Sequence, residues 1–382
     1  MVHRAFWKKL IERLWQQNSI LWLSGVRQSG KTFICKSLGE IEYFDCELPG
    51  TRRLMYSPNR FFSELDGKRI VLDAIHRLNN PSELLKIACE HHRAVRIIAT
   101  ASITANPTSL CGDIPSVFKG EIFLTPMITD DQRDFENTDL LFRMLHGGLP
   151  SFFTSEILVE REFQQWMDSF LYRDIQELFR IERRHSFQRF IELLMEESGG
   201  IFESTRFARD CGVSRTTITN YLAVLERANI VYVLRPYSTH RPTEITSAPR
   251  VYAFDTGFVC CHKGWSTIEN GMEPLLWEHI VLNEMIGKLQ SRHFYYWRDK
   301  RGHQADLVVR RRGVPPLAIK CAVRSLDADP AGLFAFGRAY PESTLALVAA
   351  DIKRPYRRIS GAFNIRMDSL ESIVKHLLTN QE

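Results

Sequence analysis

The stretch "ILWLSGVRQSGKTFICKSLG", residues 20–39, decides the fold of the first part of this 382-residue chain. Its centre fits the pattern G-x-x-x-x-G-K-[ST], and it lies between an apolar strand and a helix-forming segment, which is the context that the pattern requires. Its two glycines let the backbone curl so that N–H groups surround a phosphate. The stretch predicts a strand, a phosphate-binding loop and a helix. The candidate nucleotide-binding residues are Gly25, Gln28, Ser29, Gly30, Lys31 and Thr32.

Two side chains of this loop carry distinct chemistry. Lys31 is expected to reach the β- and γ-phosphates of a nucleotide, and the Thr32 hydroxyl is expected to hold Mg²⁺. The sequence therefore predicts ATP and Mg²⁺ as cofactors.

A second stretch, "KRIVLDAIHR" (68–77), supplies the expected partner of that metal. A buried strand ends at Asp73, whose carboxylate can hold Mg²⁺ directly or through water. The next residue, Ala74, has no proton acceptor, and general-base catalysis contributes roughly 10²- to 10⁴-fold to a rate. Hydrolysis is therefore expected to be slow or absent unless Glu47 or His76 substitutes.

The next strand end, "ATAS", offers two polar side chains. Thr100 and Ser102 are able to sense a γ-phosphate, and they are equally typical of residues that merely terminate a strand. Both interpretations stay open at this point.

The order of patterns along the chain predicts three domains. Five short apolar strands alternate with helical stretches before residue 130, which favours an α/β domain with a mainly parallel sheet. Helices then dominate, and mixed strands and helices follow. The predicted division is a P-loop domain with an N-terminal helix (1–130), a helical segment with a winged helix-turn-helix (131–245), and a third α/β domain (246–382).

Composition narrows the class of protein. A formal net charge of +5 permits contact with nucleic acid without demanding it. The eight cysteines contain no C-x-x-C pair, which argues against a zinc site and favours a reducing cytoplasm. Helical spacing of apolar residues near the start predicts an amphipathic helix that packs on the first domain, and no apolar run is long enough to span a membrane.

A helix-turn-helix is predicted around "CGVS" (211–214). Ser214 is placed as the N-cap of the second helix, and Ile218, Leu222 and Leu225 are expected to face inward. In a winged helix that reads DNA, the polar residues at this helix start meet bases and phosphates; in other proteins the module packs on a neighbouring domain. The candidate DNA-binding residues are Ser214, Arg215, Thr216, Thr217, Thr219 and Asn220.

Basic and aromatic residues also alternate in "HFYYWRDKRG" (293–302) and "KRPYRR" (353–358). Aromatic side chains in such a pattern can stack on the bases of single-stranded nucleic acid, and basic ones can neutralise its phosphates. The pattern more often reflects strand packing or solvated surface.

These segments, taken in order, resemble a widespread prokaryotic family of AAA-type P-loop ATPases that carry a winged helix and a C-terminal domain related to restriction endonucleases. The resemblance rests on ordered matches that cover nearly the whole chain: "GVRQSGKT", "IVLDA", "IIATAS", "LTPM", "GGLP", "LYRDI", "GVSRTTITNYLAVLE", "PRVYAFDTGF", "WEHIVLNEM", "FYYWRDKRGHQADLVV" and "AIKC". It implies that the third domain is restriction-endonuclease-like and that nucleotide sits between subunits of an oligomer.

The P-loop domain departs from the family pattern at two places. The resemblance implies glutamate where this chain has Ala74. It also implies an arginine before "LTPM" that faces a neighbouring subunit's phosphate, and the nearest counterpart is Lys119, which lacks the planar fork of arginine.

The third domain departs as well. The resemblance implies an aspartate and a Glu-x-Lys pair around one metal, yet Ala318 replaces that glutamate and Gln304 another acid. The implied remnants of a nuclease site are Glu278, Asp306 and Lys320. So few carboxylates make a poor metal site, and we expect no nuclease activity.

The leading hypothesis is a catalytically degraded AAA-type protein that binds ATP and acts as a nucleotide-dependent switch or assembly factor, with DNA or a protein as partner. Two alternatives stay open. One is an active DNA-linked ATPase that uses a substitute acid. The other is a structural pseudoenzyme subunit that pairs with a catalytically complete paralogue.

Overall fold

The protein is described from a computed structural model. The described residues are 4–101, 119–175, 181–239, 248–269 and 271–379. They fall into two compact units: the first contains 1–139, 149–182 and 227–229, and the second contains 140–148, 183–226 and 230–382. The division into three domains stays a prediction, and its boundary at residue 245 lies outside the described residues.

Helices and strands alternate along most of the described chain. The strands are β1 (Ile20–Gly25), β2 (Ile41–Asp45), β3 (Arg69–Asp73), β4 (Arg96–Thr100), β5 (Lys119–Leu124), β6 (Gly200–Ile201), β7 (Val231–Pro236), β8 (Arg250–Ala253), β9 (Phe294–Arg298), β10 (Gln304–Arg311), β11 (Val314–Ala322), β12 (Thr344–Ala349), β13 (Tyr356–Ser360) and β14 (Phe363–Asp368). The helices are α1 (Ala5–Trp15), α2 (Lys31–Lys36), α3 (Pro49–Leu54), α4 (Pro58–Ser63), α5 (Pro81–His91), α6 (Thr129–Asp134), α7 (Leu140–His146), α8 (Pro150–Phe153), α9 (Glu160–Ser169), α10 (Arg184–Glu196), α11 (Ser204–Asp210), α12 (Arg215–Arg227), α13 (Thr256–His262), α14 (Glu273–Leu289), α15 (Ala331–Ala339) and α16 (Leu370–Thr379).

The first unit is built on a five-stranded sheet with the order β2-β3-β4-β1-β5. Every pairing in it is parallel, so the predicted α/β fold with a parallel sheet is confirmed. Parallel strands need crossover connections, and consecutive carboxyl ends therefore meet at one edge of the sheet. The phosphate loop after β1 and Asp73 at the end of β3 are thereby brought to the same edge.

Both faces of this sheet are buried. Ile20 and Trp22 of β1 belong to one apolar cluster, and Leu21 and Leu23 to another on the opposite face, as the two-residue period of a strand requires. The N-terminal helix α1 joins the second cluster through buried side chains such as Trp7 and Ile11, so its predicted packing on the first domain is confirmed. No helix among the described residues is long and apolar enough to cross a membrane.

The second unit contains a nine-stranded sheet with the order β13-β14-β12-β11-β10-β9-β7-β8-β6. Strands β9 to β11 are antiparallel neighbours, whereas β11, β12 and β14 run parallel. The segments "HFYYWR", "ADLVVRR" and "PLAIKCAV" contribute β9, β10 and β11, respectively. This sheet positions Asp306 and Lys320 on adjacent strands.

The predicted helix-turn-helix segment forms α11, a tight turn and α12. The backbone N–H of Thr217 donates to the Ser214 hydroxyl at 3.1 Å, so Ser214 caps the second helix as predicted. Ile218, Leu222 and Leu225 are buried, as expected. Whether this segment is a winged helix that meets DNA stays a prediction.

The glycines of "HGGLP" follow α7 and contact the segment "FDTGF" of the same unit. Gly148 N–H donates to the Asp255 carboxylate at 2.6 Å, and that carboxylate also caps α13 by accepting from Gly257 N–H at 2.9 Å. This glycine turn is therefore held by a buried acid more than a hundred residues downstream.

Candidate functional site

The loop after β1 contains two glycines whose backbone conformations disfavour any other residue. Gly25 has φ +154° and Gly30 has φ +97°, in the region that L residues rarely adopt. A Cβ on Gly25 would lie 2.4 Å from the Leu124 carbonyl oxygen, inside any normal contact distance. The loop therefore folds as the motif predicts because both positions are glycine.

Lys31 and Thr32 emerge from this loop beside Asp73. The Lys31 Nζ donates to the carbonyls of Gly25 and Val26 at 2.8 and 2.9 Å, which keeps the ammonium over the loop. The Thr32 hydroxyl donates to Asp73 Oδ2 at 2.7 Å across 41 residues of sequence. The two side chains predicted to hold the metal are thus in direct contact.

Three hydroxyl groups surround the Asp73 carboxylate. Besides Thr32, Tyr43 donates to Oδ2 and Thr100 donates to Oδ1. Burial of the Asp73 carboxyl works against its charge, but the hydrogen bonds from Thr100, Tyr43 and Thr32 outweigh it and lower its pKa below the usual range. Asp73 is therefore a carboxylate at neutral pH, the form that a metal ligand requires.

Thr100, one of the two predicted phosphate sensors, is tied to the end of β3. Its hydroxyl also accepts the backbone N–H of Ala74 at 3.1 Å, and its side chain is buried. Ser102, the other predicted sensor, lies outside the described residues.

An open cleft of about 610 Å³ lies at this edge of the sheet. Gln28, Gly30, Lys31, Thr32, Asp73 and Thr100 line it, so it collects most of the residues predicted for nucleotide and metal. Two other loop residues, Gly25 and Ser29, do not line the cleft, and the Ser29 side chain is fully buried. A carboxylate, a hydroxyl and an ammonium on one open cleft, beside a glycine loop, fit a magnesium-bound nucleotide.

Ala74 also lines this cleft, and its backbone is in the left-handed region with φ 57° and ψ 44°. Its methyl group offers no proton acceptor beside Asp73. Of the two predicted substitutes, Glu47 lines the cleft, with its carboxylate 3.8 Å from Arg77, whereas His76 is not among the lining residues. Burial, followed by nearby Arg77 and Lys31, lowers the pKa of His76 to about 4, so this imidazole is neutral at pH 7.

Asp45 is a further acid on the cleft that sequence reasoning missed. It ends β2 directly opposite Asp73 in the parallel register, so both side chains lie on the same face of the sheet. Its Oδ1 accepts the Glu47 backbone N–H at 2.9 Å. Its position at the carboxyl end of a strand was the available signal.

Arg4 is a second residue that the sequence did not single out. Its guanidinium is buried and donates to the Ser29 carbonyl of the loop at 2.6 Å. It also forms a double hydrogen bond with Asp131 in α6, at 2.9 and 2.6 Å. Because Arg4 and Asp131 are both buried and paired, the Arg4 guanidinium is held in position, and its hydrogen bond to Ser29 anchors the phosphate loop.

The predicted nuclease remnants come together in the second unit. Asp306 is fully buried; Lys320 Nζ lies 3.0 Å from its Oδ1, and the Cys321 backbone N–H donates to its Oδ2 at 2.8 Å. Burial and then the nearby Asp306 raise the pKa of Glu278 in α14. The two acids therefore share one buried environment.

Arg250 of β8 completes this cluster. Its Nη2 donates to Glu278 Oε2 at 2.9 Å, its Nε donates to the Gly199 carbonyl at 2.8 Å, and its Nη1 lies 3.9 Å from Asp306 Oδ1. Tyr252 donates a further hydrogen bond to Glu278 at 2.8 Å. Arg250 and Lys320 therefore supply two positive charges for two carboxylates.

The residues of this cluster do not fit a divalent metal. The carboxylates are already bonded to an arginine, a lysine, a tyrosine and a backbone N–H, and Ala318 adds no ligand. Among the described residues, no group of three or more histidine, cysteine, aspartate or glutamate side chains could hold a metal ion. The Arg250 guanidinium contacts both acids, with Nη2 2.9 Å from Glu278 Oε2 and Nη1 3.9 Å from Asp306 Oδ1, and so already supplies positive charge to them.

The candidate DNA-binding residues lie at the start of α12. Ser214, Arg215, Thr216, Thr219 and Asn220 are exposed and Thr217 is half-buried. Arg215 Nε donates to the Ser204 hydroxyl at 2.9 Å and Thr219 bonds the Arg215 carbonyl at 3.0 Å. These side chains form one polar surface.

Two family models match parts of the chain. Residues 17–128 match a model described as an AAA domain. The first unit carries an AAA-type P-loop domain. Residues 137–269 match a model described as a domain of unknown function, DUF8612. The AAA domain spans the whole five-stranded sheet and the cleft described above.

The chain is similar to two mycobacterial proteins. An uncharacterised protein of Mycobacterium bovis and one of Mycobacterium tuberculosis are each 25% identical to it over 316 residues. Each alignment covers 80% of this chain and 70% of the relative. The likeness therefore runs well beyond the AAA domain.

Two solved structures from archaea also align with this chain. A Walker-type ATPase of Pyrococcus abyssi has a TM-score of 0.44 and 13% identity, over 69% of this chain and 96% of its own. A signal transduction ATPase with numerous domains from Pyrococcus horikoshii has a TM-score of 0.27 and 11% identity, over 74% and 45% of the two chains. Both TM-scores lie below 0.5, too low to establish a shared overall fold.

Proposed function

We propose that this AAA protein binds Mg-ATP as a nucleotide-dependent switch or assembly factor and hydrolyses it slowly or not at all. One observation carries the proposal: Thr32 and Asp73 are in hydrogen-bond contact on a cleft that also exposes Lys31, whereas residue 74 presents only a methyl group. Phosphate binding and metal binding each have their side chains, but the position directly after Asp73 offers no proton acceptor. In this account the nucleotide stabilises one conformation or assembly, and its slow loss ends that state.

Magnesium would be held by Thr32 and Asp73, and it would neutralise phosphate charge. The Asp73 carboxylate accepts two hydroxyl hydrogen bonds on Oδ2 and one on Oδ1, and because a carboxylate offers about four lone-pair sites, Oδ1 keeps one site for a metal. Lys31, now over the loop carbonyls, would turn to the phosphates.

Exchange of Asp73 for asparagine tests the metal site. Asp73→Asn keeps the size of the side chain but removes its charge, so we expect the Mg²⁺-dependent part of ATP affinity to fall roughly 10- to 100-fold. Calorimetric titration with ATP, with and without Mg²⁺, measures this difference. Glu47→Gln removes another carboxylate of the same cleft and serves as the control, with little effect expected. If Asp73→Asn keeps the wild-type Mg²⁺-dependent part of ATP affinity, Asp73 is not a metal ligand.

A second candidate function is an active DNA-linked ATPase with a substitute acid. Asp45 and Glu47 favour it, because both carboxylates line the cleft beside Asp73. Turnover that is stimulated by DNA and abolished by Asp45→Asn would support this candidate over the switch.

The partner is proposed to be DNA, contacted through α11 and α12 as the helix-turn-helix of a winged helix. The exposed Arg215, Thr216 and Asn220 at the start of α12 support this, since such positions meet bases and phosphates in helix-turn-helix proteins. The competing proposal is that this surface binds a protein, either a second copy of the chain or a paralogous ATPase subunit.

A further inference from the structure

The phosphate loop contains one peptide group, between Ser29 and Gly30, whose orientation the glycine leaves open. The peptide before it is fixed because the Ser29 N–H donates to the Val26 carbonyl at 3.2 Å. The peptide after it is fixed because the Gly30 carbonyl accepts from the Ile34 N–H at 2.9 Å. Gly30 has φ +97°, and glycine adopts positive and negative φ about equally readily. The Ser29–Gly30 peptide can therefore flip unless a further group holds it.

Arg4 holds this peptide in one orientation. Its Nη1 donates to the Ser29 carbonyl at 2.6 Å, and a Cβ on Gly30 would lie 3.0 Å from the same atom. The guanidinium is buried and does not line the nucleotide cleft, whereas Gly30 does. Because a trans peptide is planar, its C=O and N–H groups point in opposite directions. With the carbonyl held toward Arg4, the Gly30 N–H points away from Arg4 and toward the cleft.

Asp131 of α6 fixes the guanidinium itself. Its carboxylate accepts from Arg4 Nε at 2.9 Å and from Nη2 at 2.6 Å, so the planar fork is set in both position and angle. The same carboxylate accepts the Trp7 indole N–H at 3.0 Å and the Ile128 backbone N–H at 3.1 Å. The remaining nitrogen of Arg4, Nη1, is thereby aimed at the loop.

We infer that Arg4 is a positioning residue for phosphate: it keeps the Gly30 N–H directed at the site that a nucleotide phosphate would occupy. If the peptide had to flip before binding, affinity would fall in proportion to the fraction of molecules in the wrong orientation. The guanidinium also polarises the Ser29 carbonyl, which makes the Gly30 N–H a stronger donor. The inference rests on the proposed nucleotide binding and adds that the start of the chain sets its strength.

A charge-neutral double substitution, Arg4→Met with Asp131→Asn, tests this role. It removes the hydrogen bond to Ser29 without leaving a buried charge unpaired, and asparagine still offers Trp7 an acceptor. Calorimetry measures the dissociation constants for Mg-ATP and for inorganic tripolyphosphate. Both are expected to rise by the same factor, roughly 10- to 100-fold, which corresponds to one hydrogen bond to a charged group. The factors are equal because the Gly30 N–H meets phosphate and not the base.

Asp134→Asn is the matched control. Asp134 Oδ2 accepts the Ala5 backbone N–H at 2.7 Å, so it ties the same start of the chain to the same helix α6 but takes no part in the bond between Arg4 and Ser29. The urea midpoint of this variant is expected to fall, whereas both dissociation constants are expected to keep their wild-type values. If the control loses as much phosphate affinity as the double variant, Arg4 acts only through the packing of the chain start, and the inference is overturned.

Hydrogen exchange of the wild-type chain tests the same coupling without a substitution, and it decides the matter if the double variant does not fold. Coupling between two sites is reciprocal, so saturating Mg-ATP is expected to slow amide exchange in α1. Helix α16 of the second unit serves as the internal reference, with unchanged exchange expected.

Two results on a protein that binds nucleotide overturn the role of Arg4 alone. One is exchange in α1 at the same rate with and without Mg-ATP. The other is a folded double variant that keeps the wild-type affinity for tripolyphosphate. A wild-type protein that binds neither Mg-ATP nor tripolyphosphate would instead overturn the proposed function, and this inference with it.

Discussion

Replacement of Ala74 by glutamate is expected to raise the rate of ATP hydrolysis roughly 10²- to 10⁴-fold, the usual contribution of a general base. Ala74 lines the cleft directly after Asp73, so a longer side chain at this position enters the space where a nucleotide would lie. A carboxylate there can accept the proton of an attacking water, which lowers the barrier by about 3 to 5 kcal/mol. Phosphate release under saturating Mg-ATP measures the change.

Ala74→Gln is the control for this substitution. Glutamine has nearly the same shape and the same cost of adopting the left-handed backbone of residue 74, but it accepts a proton poorly. Glutamate alone should therefore accelerate turnover, and Lys31→Ala in the same background should abolish the gain. If the glutamate and glutamine variants hydrolyse ATP equally fast, the missing base is not what limits this site.

Loss of Arg250 is expected to destabilise the second unit by about 3 to 5 kcal/mol, as when one partner of a buried ion pair is removed. Arg250→Met roughly keeps the volume of the side chain but removes the cation that contacts both Glu278 and Asp306, and leaves Lys320 paired with Asp306. Urea unfolding at neutral pH reports the change in the free energy of unfolding.

The pH dependence of this loss of stability follows from the pKa of Glu278. Its pKa is raised in the folded protein by burial and then by Asp306, so the folded state binds this proton more tightly than the unfolded state does. Arg250 lowers this pKa, so its removal raises the pKa further; acidification then favours folding of Arg250→Met more than folding of the wild type, and the stability deficit of the variant is expected to shrink as pH falls. A deficit that grows on acidification would contradict this account of the cluster.

Arg235→Met provides the comparison for Arg250. Arg235 on neighbouring β7 forms a double hydrogen bond with Glu226, at 3.0 and 3.1 Å, but the pair is exposed. Exposed pairs contribute about 0 to 1 kcal/mol. The loss in free energy of unfolding must therefore be clearly larger for Arg250→Met than for Arg235→Met. Similar losses would mean that the buried cluster does not stabilise the unit.

The nucleotide cleft was predictable from sequence because its chemistry lies in short local patterns. Gly25 to Thr32 fixes a loop, and the apolar strand that ends at Asp73 places an acid at the same sheet edge. Once the strands are known to be parallel, their carboxyl ends must lie at the same edge of the sheet. The αL conformation of Ala74 and the three hydroxyl groups on Asp73 needed the structure.

Arg4 and Arg250 could not be identified in this way. Arg4 contacts Asp131 across 127 residues of sequence, and Arg250 contacts Glu278 and Asp306 across 28 and 56 positions. Neither arginine belongs to a pattern with a fixed spacing, so only packing reveals its partners. The resemblance implied that Glu278, Asp306 and Lys320 are remnants of a nuclease site, which stays a prediction, and no pattern in the sequence pointed to Arg250 beside the two acids.

The most direct test of the central claim is one titration of the wild-type protein with Mg-ATP by calorimetry, followed by quantification of the nucleotide after incubation. The account predicts a dissociation constant below the millimolar range, with the ATP recovered almost intact, and no binding by Lys31→Ala. It would be contradicted by an absence of binding to the wild-type protein, or by rapid conversion to ADP that Lys31→Ala abolishes.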